Sequence, residues 1–376
     1  MQKNPSPWHP ALWLNLLLVL IIAGCASPMR GNLEAYPPMA NDKAPGASAK
    51  AQQVAKDLGR GINFGNMLDA PNEGDWGLTV RPDFLDAVTQ AGFQTVRLPV
   101  RWSNHAATKP PFRLDVAFTN RVEGIVDKLL VKGVYVVLNM HHYRVLDGDA
   151  PDKGDEAQDA SLSDERFLAL WQQIAQRFRA KSDKLVFELY NEPHKLLDAP
   201  HWNELMARAT AVVRKTNPQR MLMLGPINWN NAESLAEMRL PNDANLIVTV
   251  HNYAPFKFTH QGAVWIEPAL PTGVSCCDAA QRAEMILPLD IAKSWSDQNR
   301  YPIFVGEFGA YEKADMAARV RFTQTMREEM ELRGFSWAYW ELAAGFGVYD
   351  PIGKTFRKPL LEALMSKKLP DGSLAP

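Results

Sequence analysis

From about residue 58 onward, the chain alternates short apolar runs with longer amphipathic segments. The short runs are apolar at nearly every position rather than at every second one, which is typical of parallel strands buried on both faces. Eight runs show this pattern, and they predict strands at 61–64, 95–100, 135–139, 185–190, 221–224, 246–251, 303–307 and 335–340.

The segments between these runs have the 3.6-residue periodicity of helices packed on one side. They predict helices at 81–91, 120–132, 163–179, 202–216, 279–299 and 315–333. Gly92, Gly133 and Gly334 each stand where such a helix should end before the next strand. Alternating strands and helices in this number predict a single α/β domain with the (β/α)8 TIM-barrel fold. An open doubly wound sheet is the alternative, but no Gly-x-Gly-x-x-Gly follows the first run.

The first 24 residues have the pattern of an export signal. Lys3 precedes an apolar stretch at 11–23, which has the length of a signal-peptide core and is too short to span a membrane. The sequence Ile-Ala-Gly-Cys at 22–25 resembles a bacterial lipobox. This resemblance implies that residues 1–24 are removed and that Cys25 is lipidated. An ordinary signal peptide with an incidental cysteine is the alternative.

The predicted signal also divides the rest of the chain and predicts a location. Ala26, rather than Asp, follows the cysteine, which indicates a lipid anchor in the bacterial outer membrane, with secretion as the alternative. Residues 25–50 are rich in Pro, Ala, Ser, Gly and Asn and predict a flexible tether. The barrel domain is then expected at 51–366, and a C-terminal tail at 367–376. Within the domain, the acidic segment at 143–162 predicts a surface loop, since it lacks the spacing of a calcium loop.

Charge and cysteine content narrow the possible partners. The chain of 376 residues has 41 basic and 42 acidic side chains, so it has no electrostatic footprint for nucleic acid. Cys276 and Cys277 are adjacent. In an exported protein we expect them to form a vicinal disulfide, which could make a rigid rim of a cleft, with free thiols as the alternative.

Two glutamates stand at the ends of two predicted strands. The sequence Asn-Glu-Pro at 191–193 follows the fourth run and contains Glu192, and Glu307 closes the seventh run within Gly-Glu-Phe-Gly. In a TIM barrel the carboxyl ends of all eight strands meet at one mouth, where catalytic residues gather. A pair of carboxylates at such a mouth provides the acid and the nucleophile or base that glycosidic bond hydrolysis requires.

Further polar and aromatic residues occupy the same strand ends, and together they resemble glycoside hydrolase family 5 of clan A, the cellulase family. The similarity extends from about residue 58 to 359. The motifs that carry it include Asn66 at the start of NMLDAPNEGDWG, Arg97 in Val-Arg-Leu-Pro, His141 and His142 in Asn-Met-His-His, Asn191 and Glu192 in Asn-Glu-Pro, His251 and Tyr253 in His-Asn-Tyr, Glu307 in Gly-Glu-Phe-Gly, and Trp340.

The resemblance implies a retaining double displacement without a cofactor or metal. Glu307 would be the nucleophile and Glu192 the general acid/base. Arg97 and Tyr253 would keep the nucleophile ionised, and His251 would contact the acid/base.

The remaining matched residues would bind sugar. Asn191 would bind the 2-hydroxyl, His141 and His142 other hydroxyls, and Trp340 would stack on a ring. Asn66 belongs to the family's opening motif. Trp229 and Trp265 lie in loops after strands and are further candidates for the glycan cleft, although packing alone would also explain them.

Several functions remain open on the sequence. The preferred interpretation is an endo-β-1,4-glucanase that acts on cellulose-type or mixed-linkage β-glucan, as a monomer anchored to the membrane. A β-mannanase, glucomannanase or xyloglucanase of the same family is the alternative. A metal hydrolase is disfavoured because no His-Glu-x-x-His occurs. A non-catalytic glycan-binding lipoprotein would not require both glutamates.

Overall fold

Eight parallel strands close into a barrel in the computed structural model, which describes residues 44–366. Each strand pairs with its neighbours in chain order, and β8 returns to pair with β1. The strands are β1 Arg60–Asn63, β2 Thr95–Leu98, β3 Tyr135–Asn139, β4 Leu185–Glu188, β5 Leu222–Leu224, β6 Leu246–His251, β7 Ile303–Glu307 and β8 Ser336–Tyr339. The predicted (β/α)8 fold is therefore confirmed.

Helices surround the barrel and follow the strands along the chain. They are α1 Ala49–Asp57, α2 Pro82–Gln90, α3 Val116–Val131, α4 Arg144–Asp147, α5 Ser163–Arg177, α6 Ala199–Arg214, α7 Ile227–Asn230, α8 Phe256–Thr259, α9 Ala279–Asn299, α10 Met316–Leu332 and α11 Lys358–Met365. Short 3-10 turns occupy Trp102–Asn104, Ala160–Leu162 and Ala232–Glu237. A small antiparallel hairpin, β9 Tyr349–Asp350 with β10 Thr355–Phe356, precedes α11. No helix between residues 44 and 366 is long and apolar enough to cross a membrane.

Helix α1 closes the amino end of the barrel. Val54 of this helix and its C-cap residue Leu58 pack in one cluster with inward side chains of the strands, including Val137, Val186 and Phe304. The strand side chains that point into a barrel form a packed core rather than a pore. Because the amino end is filled with apolar groups, the polar strand ends lie at the opposite mouth.

Helix α1 begins at Ala49, within the segment for which the composition predicts a tether. Ser48 caps the helix, since its side chain accepts a hydrogen bond from the backbone of Ala51. Its own backbone N–H donates to the carbonyl of Ala244. Residues 44–50 therefore belong to the folded domain, because these specific contacts outweigh the Ala- and Ser-rich composition. The predicted signal peptide, Cys25 and the tail at 367–376 lie outside the described residues.

The segment at 143–162, predicted as a surface loop, is anchored to the barrel. Arg101 is fully buried, and its guanidinium pairs with Asp152 at 2.9 Å and with Asp155 at 2.7 Å. Asn104 adds a hydrogen bond to the carbonyl of Gly154. These contacts hold the loop beside the carboxyl end of β3.

Candidate active site

Two glutamates face each other at the carboxyl mouth of the barrel. Glu307 is the last residue of β7, and Glu192 lies in the turn after β4 with a left-handed backbone (φ 53°). A carboxylate oxygen of each lies within 4.8 Å of the other. His251, at the end of β6, stands beside both, with Nδ1 2.7 Å from Glu192 Oε1 and 3.7 Å from Glu307 Oε2. The two carboxyl groups that were predicted to act together are therefore adjacent.

Glu307 receives two direct donors. Arg97 Nη1 lies 2.7 Å from Oε1, and the Tyr253 hydroxyl donates to Oε2 at 2.9 Å. Burial raises the pKa of the Glu307 carboxyl, while His251, Arg97 and the Tyr253 hydrogen bond oppose that rise. The two donors favour the ionised form of Glu307 and so oppose the effect of burial.

Arg97 contacts four other buried polar side chains at the mouth. Its guanidinium forms a bidentate pair with Glu188 at 2.7 Å for both contacts. It also donates to Asn191 Oδ1 at 2.6 Å and to Asn63 Oδ1 at 2.9 Å. Arg97 and Glu188 are both fully buried, so the pair fixes the orientation of the guanidinium. Since Oδ1 of Asn191 is occupied by Arg97, the side chain has Nδ2 to donate to a ligand.

Glu188 was not among the predicted site residues. The available signal was a charged residue inside the apolar run at 185–190. A carboxylate inside a buried parallel strand requires a partner. Arg97 is likewise a charged residue inside an apolar run, and its charge is opposite to that of Glu188.

Glu192 lies in surroundings that favour the protonated form of its carboxyl group. Burial raises the pKa of its carboxyl to about 7, against a smaller opposing effect of Arg97. Its side chain keeps 23% of its surface exposed, so a substrate can reach it. Burial lowers the pKa of His251 to about 4, which leaves the imidazole neutral near neutral pH.

The two histidines after β3 lie in the same mouth as Trp340. The His141 and Trp340 rings are nearly parallel (7°), with centroids 5.8 Å apart. His142 meets the edge of Trp76 at 5.7 Å. Burial lowers the pKa of His142 to about 3 and that of His141 well below its ordinary value, so both are neutral.

Asn66 and the two loop tryptophans have their own neighbours around the mouth. Asn66 has a left-handed backbone (φ 62°), and its N–H donates to Asp69, a carboxylate grouped with the two histidines. Trp229 is 51% exposed and stacks on His194, whose Nδ1 contacts the Glu192 carbonyl at 2.6 Å. Trp265 is 54% exposed and packs edge-on against Tyr311.

The adjacent cysteines are joined in a vicinal disulfide. Cys276 is only 3% exposed, and its carbonyl accepts a hydrogen bond from Arg321 of α10. Both cysteines pack against the apolar core. These contacts tie the disulfide to α10 and the core.

Three groups of donors in the described part of the chain have spacings that would suit a metal, and one of them is Glu192, His251 and Glu307. In that group both imidazole nitrogens are engaged, Nδ1 with Glu192 and Nε2 with Asn230 at 3.3 Å. Both Glu307 oxygens also accept hydrogen bonds. The group is therefore organised as a hydrogen-bonded carboxylate pair.

The fold and the site together define a (β/α)8 enzyme of the glycoside hydrolase type, with paired carboxylates at the carboxyl mouth of the barrel. Residues 59–345 match the model of the cellulase family, glycosyl hydrolase family 5. The chain belongs to that family, as the sequence motifs predicted.

Characterised relatives carry endoglucanase names. The chain is 32% identical over 333 residues to endoglucanase H of Acetivibrio thermocellus, covering 86% of this chain and 35% of that protein. It is 29% identical over 311 residues to endoglucanase B of Clostridium cellulovorans, covering 77% of this chain and 68% of the relative. The chain therefore spans about a third of the length of the first relative.

Solved structures show the same barrel. Endoglucanase Cel5A of the hyperthermophile Thermotoga maritima superposes with a TM-score of 0.79 at 42% identity, covering 84% of this chain and 99% of that one. Structures of that protein have been determined with cellobiose and with mannotriose.

Proposed function

We propose that this chain is a retaining, endo-acting β-glycoside hydrolase that cleaves β-1,4-glucan. The observation that carries the proposal is the approach of a Glu192 and a Glu307 carboxylate oxygen to within 4.8 Å. Retaining enzymes hold their carboxyl groups about 5–5.5 Å apart, whereas inverting enzymes leave about 6.5–9.5 Å for a water molecule. The endoglucanase names of the relatives support the choice of glucan.

In the first step, a Glu307 carboxylate oxygen attacks the anomeric carbon while the bond from that carbon to the leaving-group oxygen breaks. Glu192 gives its proton to the departing oxygen, and a covalent glycosyl ester forms on Glu307. The raised pKa of Glu192, about 7, keeps that proton available near neutral pH.

In the second step, water attacks the same anomeric carbon. Glu192, now ionised, takes a proton from the water, and Glu307 leaves as a carboxylate. The contact of His251 with Glu192 at 2.7 Å is available in both steps. Arg97 and Tyr253 stabilise the negative charge on Glu307 before attack and after release.

The remaining residues of the mouth are proposed to bind the glycan. Asn191 would donate from Nδ2 to the 2-hydroxyl next to the reacting carbon, a contact that strengthens in the transition state. His141 and His142, which are neutral, would bind other hydroxyls, together with Asn66. Flat aromatic faces hold sugar rings in this role, and the candidates are Trp229, Trp265 and Trp340.

The substrate is tested with a panel of barley β-glucan, carboxymethylcellulose, glucomannan and xyloglucan, measured by reducing ends and by viscosity. We expect β-glucan to be cleaved with the highest kcat/KM, and viscosity to fall early because cuts are internal. A Glu307→Gln variant is the inactive control. Preference for glucomannan or xyloglucan would contradict the glucan assignment, and an inactive wild-type enzyme would favour a glycan-binding protein.

We also propose export and lipid anchoring through Cys25, with the domain held at the bacterial outer membrane as a monomer. The lipobox-like residues 22–25 support this proposal. Cells that express the full chain and are fed labelled palmitate should yield labelled, membrane-associated protein, and Cys25→Ser should remove both the label and the association. Equal membrane association of the Cys25→Ser variant would contradict the anchor and favour simple secretion.

A further inference from the structure

The turn after β5 brings an amide against the histidine that contacts Glu192. This turn contains the short element α7, whose residues Asn228, Trp229 and Asn230 have left-handed backbones with φ between 56° and 59°. This conformation is costly for side chains other than glycine, although asparagine tolerates it best. Asn230 is fully buried, and its Nδ2 lies 3.3 Å from His251 Nε2.

Two glycines leave the space that this contact occupies. A Cβ at Gly225 would lie 2.1 Å from Asn230 Oδ1, and a Cβ at Gly306 would lie 2.9 Å from His251 Nε2. Any side chain at either position would therefore displace the amide or the imidazole. Both glycines are at the mouth, one directly after β5 and one within β7.

The buried amide is not explained by stability. Its Oδ1 has no hydrogen-bond partner among residues 44–366. A buried acceptor without a partner costs about 1–3 kcal/mol. The contact that the amide does make is with the histidine beside Glu192, which indicates a role in the reaction.

A neutral imidazole carries one proton, and its position depends on its neighbours. An amide N–H that faces Nε2 requires Nε2 to be the acceptor, so the ring proton lies on Nδ1. Nδ1 then donates to Glu192 Oε1, from which it is 2.7 Å away. The proton that Glu192 transfers is consequently held on Oε2, the oxygen that His251 does not contact.

We propose that Asn230 is a positioning residue that fixes His251 in the Nδ1–H tautomer and so directs the catalytic proton of Glu192 to Oε2. The inference rests on the proposed function of Glu192 as general acid. With the opposite tautomer, Nδ1 would be an acceptor, and a protonated Glu192 would donate to His251 instead of to the leaving group. A histidine held in the wrong tautomer loses most of its catalytic effect.

The test compares two equal substitutions in one turn. Once its carboxyl group is ionised, Asn230→Asp offers only acceptors to His251 and should place the ring proton on Nε2. Asn228→Asp is the matched control, because it adds the same charge in the same turn while its own partner is Ser234 at 2.9 Å. The tautomer is read from imidazole nitrogen NMR shifts of protein labelled with 15N-histidine, with His251 assigned from a His251→Gln spectrum.

Activity is measured on barley β-glucan and on 2,4-dinitrophenyl β-cellobioside, whose leaving group departs without a proton. For Asn230→Asp we expect kcat/KM on β-glucan to fall about tenfold or more, while kcat/KM on the activated substrate, which reports only the first step, stays close to the wild-type value. Asn228→Asp should match the wild type in both tautomer and activity.

Three results would overturn the proposal: a wild-type His251 with its proton on Nε2, an unchanged tautomer in Asn230→Asp, or an equal loss of kcat/KM on both substrates in that variant. The wild-type spectrum decides the first point even if the variant does not fold. A wild-type enzyme that cleaves neither substrate would refute the proposed function, and the spectra, which need no substrate, would still decide the tautomer.

Discussion

At the scale of single residues, the site depends on how a few buried charges compensate one another. Arg97 is shared by Glu188 and Glu307, each at 2.7 Å. One guanidinium therefore stabilises both the buried carboxylate of Glu188 and that of Glu307, the proposed nucleophile. Two hydrogen bonds to Glu188 fix the orientation of the Arg97 guanidinium, so it already lies in position to donate to Glu307.

We predict that Glu188→Gln lowers the free energy of unfolding by about 3 kcal/mol or more, because it removes one partner of a fully buried pair. Thermal or urea denaturation measures this loss. Asp183→Asn is the control, since Asp183 pairs with Lys50 while its side chain is 71% exposed. The control should change stability by less than about 1 kcal/mol. Equal losses in the free energy of unfolding for the two variants would show that the buried pair contributes no more than the exposed one.

The raised pKa of Glu192 predicts the basic limb of the pH profile. Glu192 must be protonated in the first step because it gives its proton to the leaving group. We therefore expect kcat/KM on β-glucan to fall as pH rises through about 7. On 2,4-dinitrophenyl β-cellobioside, which needs no proton, this limb should disappear from kcat/KM. A basic limb of the same position and size on both substrates would assign it to a group other than Glu192.

At the scale of elements, some backbone positions at the strand ends have neighbouring atoms so close that only glycine fits there without displacing them. A Cβ at Gly306 in β7 would meet Thr249 Oγ1 at 2.7 Å as well as His251. Gly306→Ala should therefore cost about 1–3 kcal/mol in stability and also lower kcat. A Cβ added at Gly124 in α3 would have nothing within 4 Å, so Gly124→Ala should add about 0.5–1 kcal/mol. Denaturation of both variants checks the contrast, which fails if Gly306→Ala is neutral.

The elements were largely predictable from the sequence, because apolar runs and helical periodicity are local signals. The strands at 135–139, 246–251 and 303–307 and the helix at 279–299 were predicted at their observed bounds. Helix α1 was not predicted, since Ser48 and its cap depend on contacts with residues far along the chain.

The carboxylates and their supports were predictable for a related reason: strand ends in a barrel share one mouth. The contacts of Arg97, Tyr253 and His251 with the two glutamates followed from that placement and from the family motifs. Asn230 was not predictable, because its position depends on a left-handed turn that no local pattern in the sequence indicates.

At the scale of the whole molecule, the two ends of the barrel differ in composition: one is apolar and packed, and the other carries the polar site. Helix α1 fills the amino end with apolar side chains, and the carboxyl end collects the charged and aromatic groups. This separation lets the core remain well packed while the mouth carries buried carboxylates and a left-handed turn.

The central claim is that Glu307 is the nucleophile of a retaining reaction and Glu192 its acid/base. The most direct test is the product that Glu307→Gly forms from 2,4-dinitrophenyl β-cellobioside in the presence of azide. We expect almost no turnover without azide, and with azide an α-configured cellobiosyl azide, because azide enters the space of the missing carboxylate. Full activity without azide, or a β-configured azide as the product, would contradict the assignment.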